Sequence, residues 1–162
     1  MFLKRRKSTA PQPRPAAPPA APAALPAPPQ TDPAGLNGVT LAFIGDGVYE
    51  LLVRGYILQT CGGRVRELHR AAVSFSNAAF QCAAANALLP LLNEAEAEVF
   101  RRGRNAHTGH VPKIKSAAEY HAATGLEALF GWLYLKKDTA RLNELFASII
   151  SMNGEIQNGK DQ

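Results

Sequence analysis

Apolar residues recur at every third or fourth position through most of the chain after residue 36. This is the period of an α-helix that buries one face. The clearest example is the segment 41–59. Its Leu41, Ile44 and Val48 share one face of the predicted helix. No segment has convincing β-strand character, and no internal repeat is present. The pattern therefore predicts an all-α domain, built as a helical bundle.

Capping residues and helix breakers divide this pattern into six predicted helices. Thr40 is the expected N-cap of the first helix, and Asn93 that of the fourth. The third helix is expected to begin at an N-cap formed by Ser74 or Ser76. Residues 105–116 lack a helical period and contain a glycine and a proline, so they predict a loop. The helices are expected at about 41–59, 65–72, 75–89 or 77–89, 94–104, 117–135 and 139–152.

The helical pattern is missing from the start of the chain. Residues 1–35 contain ten of the twelve prolines and carry five basic residues against Asp32. Such a segment cannot bury enough apolar surface to offset the entropy of ordering it, so we predict a disordered basic arm. The folded domain is expected at 36–153 and a flexible tail at 154–162. The chain after the arm holds thirteen basic and twelve acidic residues, so it is nearly neutral.

The composition also bears on where the protein acts. No unbroken apolar segment follows the basic cluster of the arm, so a secretory signal is not predicted. Cys61 and Cys82 fit no metal-ligand pattern and are expected to be reduced thiols. We therefore predict a cytoplasmic protein. An organellar transit peptide, such as one for a plastid, remains an alternative because acidic residues are scarce in the arm.

Two acidic residues interrupt otherwise apolar predicted helices. Asp46 lies between Gly45 and Gly47, and Glu127 lies two residues after a glycine in the fifth helix. Both acids lie in helices that should be buried, so each carboxylate should hold a cation, cap a neighbouring element or face an open cleft. The glycines indicate that another element approaches the backbone near Asp46. Two facing carboxylates would repel each other unless a cation lay between them, and such a site suits Mg²⁺ or Mn²⁺. The residues leave a second alternative open, in which each acid pairs with an arginine or lysine.

Two further residues are candidates for a supporting role at such a site. Glu50 lies one helical turn after Asp46, and Thr124 lies three residues before Glu127. Glu50 has an equally good alternative, which is an ion pair with Arg54 one turn later. The histidines show no metal-binding spacing, and we expect His69, the first of them, to serve in the core or as a cap.

Basic residues are concentrated between residues 100 and 118, where no acid occurs. This concentration, together with side chains that can donate hydrogen bonds, favours a surface that binds the phosphates of a nucleic acid. A merely solvated face is the alternative. The candidate nucleic-acid-binding residues are Arg101, Arg102, Arg104, Asn105, His107, Thr108, Lys113 and Lys115.

Several short segments occur in an order that resembles the Mini-ribonuclease III family. They include Ile44-Gly45-Asp46, Arg102-Gly103-Arg104-Asn105-Ala106 and Leu126-Glu127-Ala128-Leu129. Each segment alone is weak, but the ordered set is specific and spans about 36–150. The resemblance implies the all-helical ribonuclease III endonuclease domain, without a double-stranded RNA-binding domain.

The resemblance also implies an activity and its residues. Asp46 and Glu127 would be the catalytic acids and would bind Mg²⁺, for which Mn²⁺ can substitute. The implied reaction is cleavage of double-stranded RNA by a homodimer, in maturation of the large-subunit (23S) ribosomal RNA precursor, where a ribosomal protein could be a partner. Val39, Ala42 and Thr124 stand where larger relatives carry further acids. The alternative is a non-catalytic RNA-binding or ribosome-assembly module on the same fold.

Overall fold

The computed structural model describes residues 31–61, 63–106 and 117–158. These parts of the chain contain six α-helices and no strand, which confirms the predicted all-α class. None of these helices is long and apolar enough to cross a membrane. Short 3₁₀ turns lie at Pro33–Gly35 and Leu89–Leu91. The helices are α1 (Gly38–Thr60), α2 (Val65–Ser76), α3 (Ala78–Leu88), α4 (Glu94–Arg104), α5 (Ala117–Leu135) and α6 (Thr139–Asn158).

Three predicted features need comment here. Residues 1–30 of the predicted arm and residues 107–116 of the predicted loop lie outside the described residues. The last helix, α6, continues past the predicted end at Met152 to Asn158 and takes in part of the segment expected to be a tail. His69, expected in the core or as a cap, is exposed on α2.

Asparagine side chains start three of the helices. Asn37, not the predicted Thr40, is the N-cap of α1, and its side-chain oxygen accepts a hydrogen bond of 2.8 Å from the Thr40 amide. Asn93 caps α4 as predicted and accepts from the Glu96 amide at 3.0 Å. The prediction at α1 was wrong because the helix begins two residues before Thr40, so Thr40 occupies the third helical position.

The junction between α2 and α3 was also predicted wrongly. Neither Ser74 nor Ser76 is an N-cap, because α2 continues through both residues. Asn77 caps α3 by accepting a hydrogen bond of 2.9 Å from the Phe80 amide. The two helices are therefore separated by one residue, and the break places the start of α3 beside the end of α2.

Helix α5 is the centre of the fold, since it packs against α1, α3, α4 and α6. Every residue from 122 to 131 except Glu127 is buried. Around it, the ring of Tyr49 contacts those of Phe130 and Phe146 edge to face, with centroids 5.5 and 6.3 Å apart. A helix that is apolar on all sides has the sequence pattern of a buried core helix, and Glu127 is the one residue between 122 and 131 that is not buried.

The closest approach in the fold is the crossing of α1 and α5. A methyl group added at Gly45 would clash with the carbonyl oxygen of Glu127 and lie 2.6 Å from its carbonyl carbon. A methyl group at Gly131 would clash with the carbonyl oxygen of Leu41 and lie 2.9 Å from the Gly45 nitrogen. The two glycines therefore allow the two backbones to touch. Gly47, in contrast, has no atom within 4 Å of its added Cβ.

Trp132, the single tryptophan of the chain, follows this crossing directly. It is half-buried and packs against both hydrophobic clusters of the core. The Lys136 ammonium lies 4.1 Å from its ring centroid, a cation–π contact one helical turn later.

A buried ion pair joins the start of α4 to the start of α6. Glu96 is only 2% exposed and accepts hydrogen bonds from Arg141 Nε at 2.8 Å and Nη2 at 2.9 Å. Arg141 also donates to the Leu91 carbonyl at 2.7 Å, and Glu96 accepts from the Asn93 amide at 3.0 Å. The hydrogen bonds from Arg141 lower the pKa of Glu96, so this acid is held in its charged form.

The α1–α5 crossing predicts opposite effects for two glycines of one helix. Gly45→Ala should lower the free energy of unfolding by about 2 kcal/mol or more, because overpacking costs about 1–3 kcal/mol and here the clash is with backbone. In the isolated subunit, Gly47→Ala should raise it by about 0.5–1 kcal/mol, because no atom of that subunit lies within 4 Å of the added Cβ and a better helix former replaces glycine. Urea unfolding measures both, and equal effects would contradict the crossing.

The buried ion pair predicts a stability that depends on pH. Glu96→Gln should cost about 3 kcal/mol at pH 7, because it leaves the Arg141 charge partly uncompensated. Since the pKa of Glu96 is lowered by folding, the contribution is complete above its unfolded value of about 4.3 and is lost as the pH falls further. The difference between wild type and variant, measured by denaturant unfolding, should shrink below about pH 4.

The exposed Glu94, in the same helical turn, supplies the matched control for that measurement. Glu94→Gln should change stability by less than about 1 kcal/mol, the usual size of a charge near a helix end. A cost for Glu96→Gln that stayed constant down to pH 2 would show that the ion pair is not its origin.

Candidate active site

Asp46 and Glu127 open into one cleft of about 310 Å³ between α1, α3 and α5. The two acids that the sequence singled out, 81 positions apart in the chain, are therefore brought together by the fold. The α1–α5 crossing places them there, since Gly45 immediately precedes Asp46 and meets the backbone of Glu127. The lining residues are Val39, Ala42, Phe43, Asp46, Ser76, Ala78, Gln81, Tyr120, Ala123, Thr124 and Glu127.

Asp46 is exposed rather than buried, and it faces an open cleft, which is one of the alternatives that the sequence left for an acid in this helix. The helical register explains the difference. Gly45 faces α5, and the next residue along α1 is turned by about 100°, which brings Asp46 to the open side of the cleft. An exposed carboxylate needs no counterion to offset the free energy of burial. Burial therefore does not decide whether Asp46 binds a metal ion or pairs with an arginine or lysine.

Glu127 is half-buried and is held by a neighbour on another helix. Gln81 Nε2 donates a hydrogen bond of 3.3 Å to Glu127 Oε1. The phenol of Tyr49 donates to the Phe75 carbonyl at 3.1 Å, and its burial, with a further contribution from the Glu127 charge, raises the pKa of Tyr49. Glu127 therefore sits where the surrounding core ends and the cleft begins.

Gln81 was not singled out from the sequence, although a signal was present. It is 4% exposed and lies on the face of α3 that also buries Ala78, Ala85 and Leu88. These positions follow the helical spacing of three and four residues. A polar side chain on that apolar stripe needs a hydrogen-bond partner, and the structure shows that its partner is Glu127.

Three of the uncharged residues that line the cleft are Val39, Ala42 and Thr124. Val39 and Ala42 project from α1, and Thr124 from α5, one turn before Glu127. The Thr124 hydroxyl donates to the Tyr120 carbonyl at 3.0 Å, so its oxygen can still accept a hydrogen bond. Thr124, a predicted supporting residue, lines the same cleft as the two acids.

Glu50, the other candidate supporting residue, is not among the residues that line the cleft. It forms an ion pair with Arg54 on the outer face of α1, with Nε 3.1 Å from Oε1. The structure thus favours the alternative in which Glu50 and Arg54 stabilise adjacent turns of one helix.

The residues of the predicted basic surface differ in their exposure and in their partners. Arg101 is exposed and pairs with Glu98, whereas Arg102 is half-buried and donates to the Leu36 carbonyl. Arg104 is exposed in the last turn of α4, and Asn105 caps that helix. His107, Thr108, Lys113 and Lys115 lie outside the described residues.

The end of α4 lies next to the cleft. A shallow depression is lined by Arg102 and Asn105 together with the start of α1, and it shares Val39 with the cleft. Helix α4 is held close to α5 there, because a methyl group added at Gly103 would lie 2.9 Å from the Thr124 carbonyl. Polar groups at the end of α4 therefore line a depression that adjoins the cleft.

The donors in the cleft fit a divalent metal that keeps part of its water shell. Within the described ranges, no cluster of three or more histidine, cysteine or acidic residues is assembled. Mg²⁺ is usually bound by one or two carboxylates with several waters retained, so Asp46 and Glu127 suffice. The hydroxyls of Ser76 and Thr124 could bind such waters.

Comparisons with known proteins agree with this geometry. The ribonuclease III domain family matches residues 39–138, which include both acids. A Mini-ribonuclease 3 from Symbiobacterium thermophilum is 45% identical over 114 residues, which are 70% of this chain and 88% of that protein. A Mini-ribonuclease 3 from Synechocystis is 43% identical over 114 residues, covering 70% and 78%.

A solved structure supports the same assignment at the level of the fold. A crystal structure of a protein from Fusobacterium nucleatum superposes with a TM-score of 0.68 at 28% identity. The match covers 75% of this chain and 98% of that protein. With an all-α fold, two acids in one cleft and relatives of this similarity, the chain belongs to the ribonuclease III family, on its Mini-ribonuclease 3 branch, and is an endoribonuclease.

Proposed function

We propose that this endoribonuclease cleaves double-stranded RNA with Mg²⁺, for which Mn²⁺ can substitute, and that Asp46 and Glu127 bind the metal. The observation that carries the proposal is that both acids line one open cleft. Glu127 is fixed at the edge of the core by Gln81, and Asp46 faces the open side. Each can therefore present carboxylate oxygen to an ion bound between them.

The proposed reaction is hydrolysis of a phosphodiester bond. Water attacks phosphorus, the bond to the 3′-oxygen breaks, and that oxygen takes up a proton, which leaves 5′-phosphate and 3′-hydroxyl ends. A bound divalent metal supplies Lewis acidity that lowers the pKa of water and offsets charge on the phosphate. Asp46 and Glu127 hold and orient the ion, and Thr124 offers a hydroxyl oxygen beside them.

A duplex suits the surface around the cleft. The minor groove of an RNA duplex is wide and shallow, and proteins recognise it by its shape, its 2′-hydroxyls and its phosphates. The cleft is open, and the end of α4 next to it presents the exposed Arg104 and the cap residue Asn105. We propose that these residues, with the other basic candidates of the segment 101–115, contact the phosphates of the substrate.

We further propose that the enzyme acts as a homodimer through the outer face of α1. Phe43, Leu51 and Leu58 are 79%, 70% and 72% exposed, and their spacing of eight and seven residues places them on one side of the helix. Val65, at the start of α2, is 81% exposed. Exposed apolar residues grouped in this way are typical of a protein interface.

The position of Phe43 connects this interface to catalysis. Phe43 lines the cleft beside Asp46 and also belongs to the exposed apolar face of α1. Two subunits joined there would hold their clefts near each other, as cleavage of both strands of a duplex requires. The proposed natural substrate is the 23S ribosomal RNA precursor, alone or bound by a ribosomal protein, and the proposed location is the cytoplasm or a plastid.

The catalytic assignment predicts that removal of either charge abolishes cleavage. Asp46→Asn and Glu127→Gln should each lower the rate about a thousand-fold, since a metal supplies several kcal/mol and each 1.4 kcal/mol is about tenfold. Cleavage of a labelled RNA duplex with Mg²⁺, and with a chelator, measures this loss. Glu94→Gln, which removes a charge far from the cleft, is the control and should cleave like wild type.

The same experiment distinguishes the proposed enzyme from the alternative of a non-catalytic RNA-binding module. Near-normal cleavage by either variant would overturn the site. Binding of duplex RNA by the wild type without any product that depends on a divalent metal would favour the non-catalytic alternative.

The dimer proposal predicts that one charge on α1 separates the subunits. Leu51→Glu places a carboxylate in the apolar face, where burial without a partner is costly, so the protein should become monomeric and lose most of its activity. Leu91→Glu, at a residue 50% exposed in the turn after α3, should keep the wild-type mass. Light scattering after size-exclusion chromatography measures the mass, and a wild-type monomer would contradict the proposal.

A further inference from the structure

We infer that Gln81 is a positioning residue of this enzyme, which sets the affinity of the cleft for its metal by orienting the Glu127 carboxylate. This inference rests on the proposed role of Glu127 as a metal ligand. It concerns a residue on a third helix, α3, whereas the two acids lie on α1 and α5.

The burial of Gln81 shows that its amide has a defined partner. The residue is 96% buried, as only 4% of it is exposed, yet it contributes to the lining of the cleft. A buried amide without hydrogen bonds costs free energy, and the bond from Nε2 to Glu127 Oε1 offsets part of this cost. The two residues are 46 positions apart, so tertiary packing brings them together.

The position of Gln81 is fixed on both sides along α3. Before it, Asn77 caps the helix and Ala78 is buried at the cleft wall. After it, Ala84 and Leu88 are buried in the main core cluster. Because α3 cannot shift without disturbing that packing, the amide is held at one place and the carboxylate that it binds is oriented by it.

The chemistry of the donor suits a metal ligand. An amide N–H orients a carboxylate without adding a positive charge, so Glu127 keeps its attraction for a cation. A neutral donor such as the Gln81 amide is therefore suited to orient a carboxylate beside a site that binds a positive ion.

The test replaces the amide without changing the length of the side chain. Gln81→Met removes the donor and leaves an unbranched side chain that is well tolerated in a core. Mn²⁺ binding is measured by electron paramagnetic resonance without RNA, and the Mg²⁺ dependence of duplex cleavage is measured in parallel. Loss of such a supporting contact typically weakens metal affinity about 10–100-fold, and we expect a loss in that range.

Further measurements distinguish a role of Gln81 in orienting the Glu127 carboxylate from a role in stabilising the fold. Cleavage by Gln81→Met should recover substantially at saturating Mg²⁺, while its melting curve keeps the wild-type shape. Asn86→Met, an exposed amide on the same helix, is the matched control and should keep wild-type metal affinity. If Gln81→Met does not fold, Gln81→Asn, whose amide is one methylene shorter and cannot reach Glu127 equally well, should show the same loss of affinity.

The outcomes separate this inference from the proposed function. Wild-type Mn²⁺ affinity and Mg²⁺ dependence in the folded Gln81 variant, together with inactive Glu127→Gln, would overturn the role of Gln81 alone. Full Mn²⁺ binding and cleavage by Glu127→Gln would overturn the proposed site itself.

Discussion

The contact between the backbones of α1 and α5 is the constraint on which the site depends. Gly45 and Gly131 remove the side chains that would keep the helices apart, and the Glu127 carbonyl lies where a Cβ of residue 45 would be. Asp46 is the next residue after Gly45, so its distance from α5 is set by the same contact. The acids of the cleft are thus placed by two residues that have no side-chain chemistry of their own.

The cleft has few charged residues, and they lie on closely packed helices. Val39, Ala42 and Thr124 leave one side of it uncharged, and Asp46 and Glu127 are the acids among the residues that line it. With fewer acids, the carboxylates repel each other less when no cation is bound. This repulsion therefore lowers the free energy of unfolding less than it would with more acids. The position of each of the two acids therefore matters more for binding a cation, because no further carboxylate in this lining could replace either of them.

The sequence predicted the class of the fold and the pair of acids, because helical periodicity and a lone acid in an apolar helix are local signals. It did not decide the features that depend on helical register or on helix length. Asp46 is exposed although its neighbours Gly45 and Tyr49 are buried, since one residue turns a helix by about 100°. Gln81 was missed because the periodicity of α3 marks it as buried, while its partner lies on another helix. The caps were difficult for a similar reason, since Thr40 and Asn37 are both good caps and the extent of α1 decides between them.

Trp132 gives this arrangement an intrinsic optical label. It is the single indole of the chain, follows Gly131 at the crossing, and touches both clusters of the core. Indole emission is sensitive to the polarity around the ring, and here the ring is half-buried beneath the Lys136 ammonium. Its fluorescence spectrum therefore reports on the contact between α1 and α5 without any added dye, from the residue next to the glycine that makes the contact.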